Sequence, residues 1–213
     1  MLSLFPDEGA AIVNAMLTVV EMEGNFPIGY RLARGYDRFS HQASALGHVV
    51  IADAFHRRLP GIDWERALTL MSKDLGREYG EAFFQDGVVH PLTHTLDLAY
   101  GCFCTAAIAT EVGDDTVAAQ MLEYASQWEN AFDKTGVLRD STYYEGSKYN
   151  YSFRLLHDMA SRISIAGGDT AFVDLLDTFF GYAADPVPAP GVFPSRAEMT
   201  EGELLGRFEG FNN

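Results

Sequence analysis

The stretch THTLDLAYGCFCTAAIATEV, residues 93–112, spaces its apolar side chains three and four apart and reads as one long helix. His90 and Pro91 lead into it, and Gly113-Asp114-Asp115 turns the chain into the next helix. The same pattern recurs on both sides. Upstream, a helix is expected over 6–23, with Ile12, Val13, Met16, Leu17 and Val20 on one face and Gly24 stopping it. A polar loop with Gly29 and Gly35 follows, then a helix from near Ser40 to Arg58, then one capped by Asp63 and ending near Gly80. Downstream, helices are expected as far as Lys134, from after Glu145 to Gly167-Gly168, and from Asp169 to Tyr182. Prolines at 186, 188 and 190 then make an extended loop before a short helix over 197–207. Helix pairs joined by tight turns alternate with long loops, and no fixed repeat period is present. The fold class is therefore all-α, with helical hairpins arranged as a bundle, a solenoid or a toroid.

At 213 residues and 47% apolar composition, the chain is one domain's worth, with enough material for a sizeable core. Its net charge of -15 opposes nucleic acid and anionic membrane surfaces as partners. The charge suits a neutral substrate, and it can supply carboxylates to a hard cation such as calcium. Most of the 30 acidic residues are expected on solvated helix faces. No apolar run approaches membrane-spanning length, and nothing near Met1 resembles a signal peptide. That reading leaves a cytosolic protein or a natural N-terminus further upstream. Cys102 and Cys104, two apart on a helix, point in different directions, so core packing is expected of them and a disulfide is not.

The chemistry is densest in YYEGSKYNYSFRLLHD, residues 143–158. Ser147 can cap the following helix and leave Glu145 just outside it, beside Gly146, where an acid can face a cavity. Tyr149, Tyr151 and Phe153 offer the flat apolar surface on which sugar rings stack. A glutamic acid among aromatic rings is also one that can stay protonated near neutral pH and act as a general acid. Against this stands an ordinary helix start with a solvated glutamate. His157 and Asp158 fit a structural role, holding the helix against its neighbour. His41 and His48 are seven residues apart, and Pro91 breaks the spacing of His90 and His94, so neither pair reads as zinc. Asp37 and Arg38 lie in the glycine-rich loop, a position suited to sugar contact.

Five stretches, taken in order, resemble the catalytic domain of glycoside hydrolase family 92, the exo-acting α-mannosidases. VVIADAF (49–55) resembles that family's helix ending in Ile-Ala-Asp-Ala-aromatic, and THTLDLAYGCFCTAAIA (93–109) its Thr-Leu-Glu-Tyr-Ala-Tyr helix. WENAFDKTGVLR (128–139) resembles its aromatic-x-Asn-x-Phe-Asp…Thr-Gly turn. The Glu145 segment is similar to Glu-Gly-Asn-Ala-Trp-Gln-Tyr-Thr-Trp…His-Asp, and the final GRFEGFNN resembles the approach to an Asn-Glu-Pro motif. The resemblance implies part of an (α/α)6 toroid, calcium-dependent hydrolysis of mannose-containing glycans, inversion at the anomeric carbon and an extracytoplasmic setting. It assigns the general acid to Glu145, sugar contacts to Glu209 and Asn212 beside Tyr149, Tyr151 and Asp37, and a calcium ligand to Asn213.

The departures are equally specific. The family's general base lies beyond Asn-Glu-Pro, and neither that base nor the Glu-Pro is matched here. The N-terminal β-sandwich and first toroid helix are unmatched too, and the helices are too few for a full toroid. Ser44-Ala45-Leu46 replaces Gly-Asp-His, Gly101-Cys102 replaces a pair of aspartates, and Ser147-Lys148-Tyr149-Asn150 replaces Asn-Ala-Trp-Gln. The expectation is a partial copy of the catalytic domain, inactive alone. The rival is a helical carbohydrate-binding or protein-interaction remnant that self-associates through exposed helix faces.

Overall fold

A computed structural model of the chain describes residues 4–26, 29–31, 35–37, 45–76, 79–139, 148–154 and 157–180. The chain divides into two units, Met1–Trp128 and Glu129–Asn213. The first holds α1 (Pro6–Glu23), the strands β1 (Gly29–Arg31) and β2 (Gly35–Asp37), α2 (Leu46–His56), α3 (Trp64–Leu75), α4 (Tyr79–Asp86), α5 (Leu92–Val112) and α6 (Asp115–Ser126). The second holds α7 (Lys148–Ser152), α8 (Met159–Ile165) and α9 (Asp169–Phe179). A 3-10 turn, Gln127–Ala131, follows α6. The expected helix over 197–207 lies outside the described residues.

The stretch at 93–112 forms the axis of the first unit. α5 is buried without a break from Leu92 to Ala99 and again at Cys102, Thr105 and Ile108. A helix covered on nearly every side belongs inside a protein. Accordingly α6, α2 and α3 pack along it, and α1 lies against α2 and α3. Thr95 fixes the entry into α5: its hydroxyl accepts from the Val89 N–H and donates to the Val89 carbonyl, both at 2.9 Å. Gly113 ends α5 with φ 84, and the Asp114 carboxylate starts α6 by accepting from the Val117 N–H at 3.0 Å. Both cysteines are buried free thiols. Burial pushes Cys104 up to about 12, so it is no thiolate at neutral pH.

Most boundaries follow the sequence, and the differences have local causes. The buried stripe of α1 is Ala10, Val13, Leu17 and Val20, while Ile12 is 42% exposed. Fully burying Val13, Leu17 and Val20 stabilises the unit by about 1.5–3 kcal/mol each. Asp63 caps α3 as expected, accepting from the Arg66 N–H at 3.0 Å. Arg66 then clamps α3 to α1 through a two-pronged contact with Glu21, at 2.8 and 2.6 Å. The helix begun at Asp63 does not reach Gly80; it ends at Leu75, with Gly76 as its cap, and α4 is a separate element. A side chain at Gly80 would overlap the Leu75 carbonyl, so only glycine lets the chain fold back there. The polar loop contains an antiparallel hairpin that pairs Gly29 with Asp37.

Gly101 is the second position where the lack of a side chain is structural. A Cβ there would stand 2.7 Å from the Ala45 Cβ and 3.1 Å from a Leu75 methyl, inside normal carbon contact. Gly101→Ala is therefore expected to cost about 1–3 kcal/mol of stability through overpacking. Gly76→Ala is its control: its φ is -78 and the nearest atom to an added Cβ is 3.7 Å away. Denaturant unfolding of both variants checks this, and equal effects would remove the close-approach argument.

Beside this contact His48 is fully buried. Its Nε2–H donates to the Met71 carbonyl at 3.0 Å, and its ring meets Phe26 edge-on at 5.2 Å. Nδ1 faces Asp74 at 3.8 Å, and Asp74 accepts from the Phe26 N–H at 2.8 Å. Burial outweighs the pull of Asp74 and holds the imidazole pKa below 6.5. The unfolded chain thus takes up a proton that the folded chain refuses, so stability is full above that pH and declines below it. The slope reaches at most about 1.4 kcal/mol per pH unit. Thermal unfolding between about pH 7.5 and 5 should show this decline in the native chain and less of it in His48→Gln. Parallel curves would assign the decline to other groups.

Candidate functional site

Glu145 lies outside the described residues, as do Glu209, Asn212 and Asn213. The chain on either side of Glu145 is described, and it is held from one centre. Upstream, the segment after the 3-10 turn folds back on itself. Phe132 and Leu138 form an antiparallel bridge, and the Arg139 N–H donates to the Ala131 carbonyl at 3.0 Å. Asp133 shapes the bend, its carboxylate accepting from the Thr135 N–H at 2.8 Å and from the Thr135 hydroxyl. Downstream, α7 carries Tyr149, half-buried, Tyr151, 5% exposed, and Ser152, fully buried. The Leu138 N–H donates to the Ser152 hydroxyl at 2.9 Å, joining the two stems.

The centre is Arg162, on α8 and 1% exposed. Its Nε and one Nη donate to the Ser152 carbonyl at 3.2 and 3.0 Å, and the same Nη donates to the Gly136 carbonyl. Phe132, Phe172 and Phe153 surround the guanidinium, with centroids 4.5, 5.3 and 5.7 Å away. Among the described residues no carboxylate lies within ion-pair reach of it. Carbonyl dipoles and ring faces neutralise the charge instead. Burial pushes the Arg162 pKa down to about 10, which leaves it a cation at neutral pH. Phe153 also packs on Phe179 of α9, at 4.8 Å.

This clamp explains a difference from the sequence reading. One helix was expected from after Glu145 to Gly167, and two are found. The Ser152 carbonyl is occupied by Arg162, so it does not continue a helical ladder past α7. Asp158 then opens α8 as its cap, accepting from the Ser161 N–H at 3.1 Å. Its role is structural, although it begins a helix where the interior of one was expected. Sequence reasoning missed Arg162. The available signal was a lone arginine in the apolar run MASRISI, four residues after a capping aspartate.

Other candidates fall elsewhere. Asp37 ends β2 in the first unit, where its backbone position is described. Ala45 and Gly101, the positions of two departures from acidic motifs, meet each other in that unit. Where the sequence resemblance expects two carboxylates, a tight apolar contact stands.

Comparison with known proteins agrees with this architecture. The profile of the Glycosyl hydrolase family 92 catalytic domain matches residues 1–142 and 134–203, and the chain belongs to that family. No match is found among curated proteins. Among solved structures, a family GH92 α-mannosidase from Bacteroides thetaiotaomicron superposes with TM-score 0.72 at 21% identity, over 82% of this chain and 27% of its own. Its complex with mannoimidazole gives TM-score 0.71 at 20% identity, over 82% and 27%. A family GH92 inverting mannosidase from Bacteroides thetaiotaomicron VPI-5482 gives TM-score 0.72 at 19% identity, over 95% and 31%. The fold is theirs: an all-α array of helical hairpins. The chain spans between about a quarter and a third of their length.

Replacing Arg162 by Lys keeps a charge but loses the planar fork that reaches two carbonyls. We expect a loss of about 2–3 kcal/mol, with faster amide exchange at Leu138 than in α5 of the first unit. A variant as stable as the parent, with Leu138 still protected, would show that the clamp is dispensable.

Proposed function

We propose that this chain serves in the hydrolysis of terminal α-linked mannose from glycans, as part of an inverting α-mannosidase with Glu145 as general acid. The observation that carries the reading is the family match across Glu145, whose flanking segments are both tied to Arg162 or its partners. In this reading Glu145 protonates the glycosidic oxygen as the bond to the anomeric carbon breaks. A second carboxylate, roughly 6.5–9.5 Å away, activates water on the opposite face. No motif of this chain matches that base. Tyr149 is half-buried and Tyr151 buried, so of the two Tyr149 is the one assigned to stacking on a sugar. Asp37, Glu209 and Asn212 are assigned to sugar hydroxyls. Calcium is implied by the family, with Asn213 proposed as one ligand. The described residues do not form a cage for it, since no three His, Cys, Asp or Glu side chains converge among them.

The Ala45–Gly101 contact favours a second reading, in which the domain binds mannosides without turning them over. Two of the acidic positions expected of the family are filled by close packing. The two readings part on a leaving-group experiment in the active protein. Under the first, Glu145→Gln lowers turnover of mannobiose by about 10²–10⁴-fold. Turnover of dinitrophenyl mannoside, whose leaving group needs no proton, falls far less. Equal losses on both substrates would remove Glu145 from the acid role. Binding without turnover by any form of the protein would favour the second reading.

A further inference from the structure

The first unit contains a cleft to which the motifs above contribute only Phe55, the last residue of VVIADAF. Phe55, His56, Arg58, Leu59, Trp64 and Glu111 line it, and its volume is about 390 Å³. That is the size class of small-molecule sites. It lies at the far end of the helices from the Ala45–Gly101 contact. α2 carries the chain about 16 Å from Ala45 to His56, and Glu111 stands ten residues beyond Gly101 on α5. The cleft therefore stands apart from the Ala45 and Gly101 positions.

Its strongest mark is the backbone of Arg58. The end of α2 closes as a Schellman motif: the Leu59 N–H donates to the Ala54 carbonyl at 3.1 Å, and the Arg58 N–H to the Phe55 carbonyl at 2.8 Å. That motif puts Arg58 at φ 55, where glycine is favoured and an arginine is strained. Its neighbours use their charges within the fold: Arg57 pairs with Asp53 at 2.9 Å and Arg66 with Glu21 at 2.6 Å. Among the described residues Arg58 and Glu111 have no ion-pair partner, although both line one cleft. Strain kept at a position that glycine would relieve points to work done by the side chain. Beside these charges stands an aromatic corner, with Phe55 edge-on to Trp64 at 5.0 Å and to His56 at 5.7 Å.

We propose that this cleft is a binding site for a neutral sugar ring. A pyranose presents an apolar C–H face, which suits the Trp64 and Phe55 surfaces. It also presents adjacent hydroxyls that accept from a guanidinium and donate to a carboxylate, the pair that Arg58 and Glu111 supply. One cation and one anion give the walls no net charge, and the -15 of the whole chain disfavours an anionic ligand. The assignment does not depend on Glu145 or on any catalytic reading.

The test uses the full 213-residue chain labelled with nitrogen-15. Its only two tryptophans are Trp64 and Trp128, so Trp64→Phe identifies the Trp64 indole signal. Methyl α-mannoside, α-glucoside and α-galactoside are titrated separately, with glycine as a zwitterionic probe. We expect a saturable shift of the Trp64 signal with at least one glycoside and none with glycine. Arg58→Gly is the decisive variant: it relieves the strained backbone, so its Tm should rise by several degrees while the sugar-induced shift is lost. Glu111→Gln should weaken binding at least fivefold, and Glu145→Gln should leave it unchanged. A shift that survives in Arg58→Gly, a response to glycine alone, or no saturable response to any glycoside would each overturn the proposal.

Discussion

A buried cation, with no carboxylate beside it among the described residues, organises the second unit. Placing a guanidinium at 1% exposure is costly unless its donors are used and its charge is spread. Nε and one Nη of Arg162 donate to the Ser152 and Gly136 carbonyls, and the phenylalanine rings around the guanidinium spread its charge. Four segments thereby share one point: the bend after the 3-10 turn, α7, α8 and α9. α7 has only five residues, too few to hold a helix in water by local bonds alone. Its conformation depends on the arginine that occupies its last carbonyl.

In the first unit the ordering principle is different. α5 is buried by its own apolar composition, and its neighbours are placed by how closely they can approach it. The absent side chain at Gly101 sets the approach to Ala45 and the end of α3, with the neutral His48 beside it. The other end of the same helices closes less tightly, around Arg58, Trp64 and Glu111. The two ends thus differ in kind: one is packed shut by small residues, and the other is left open and lined with charge.

The helices were legible in the sequence wherever punctuation was local. Gly24, Asp63, Gly113 and Asp114 each act on their own turn, and the structure places the boundaries where those residues stand. What was not legible depended on partners distant in sequence. The break after Ser152 follows from an arginine ten residues on, and no periodicity announces it. The separation of α3 from α4 turns on a carbonyl meeting Gly80. The aromatic residues near Glu145 drew attention by composition alone, yet Tyr151 proves buried and Tyr149 only half-buried. The family resemblance was readable because its motifs are short and ordered, and the profile match bears it out.

The Arg162 clamp grips main-chain oxygens, and every residue type carries one. An anchor of that kind is blind to side-chain identity at the positions it holds. Residues 147–150 read Ser-Lys-Tyr-Asn where the motif they resemble has Asn-Ala-Trp-Gln, and such a difference need not disturb the arginine's grip on the carbonyl of Ser152. The side chains of this stretch can therefore change by mutation while its attachment persists, so sequence can diverge here without loosening the fold.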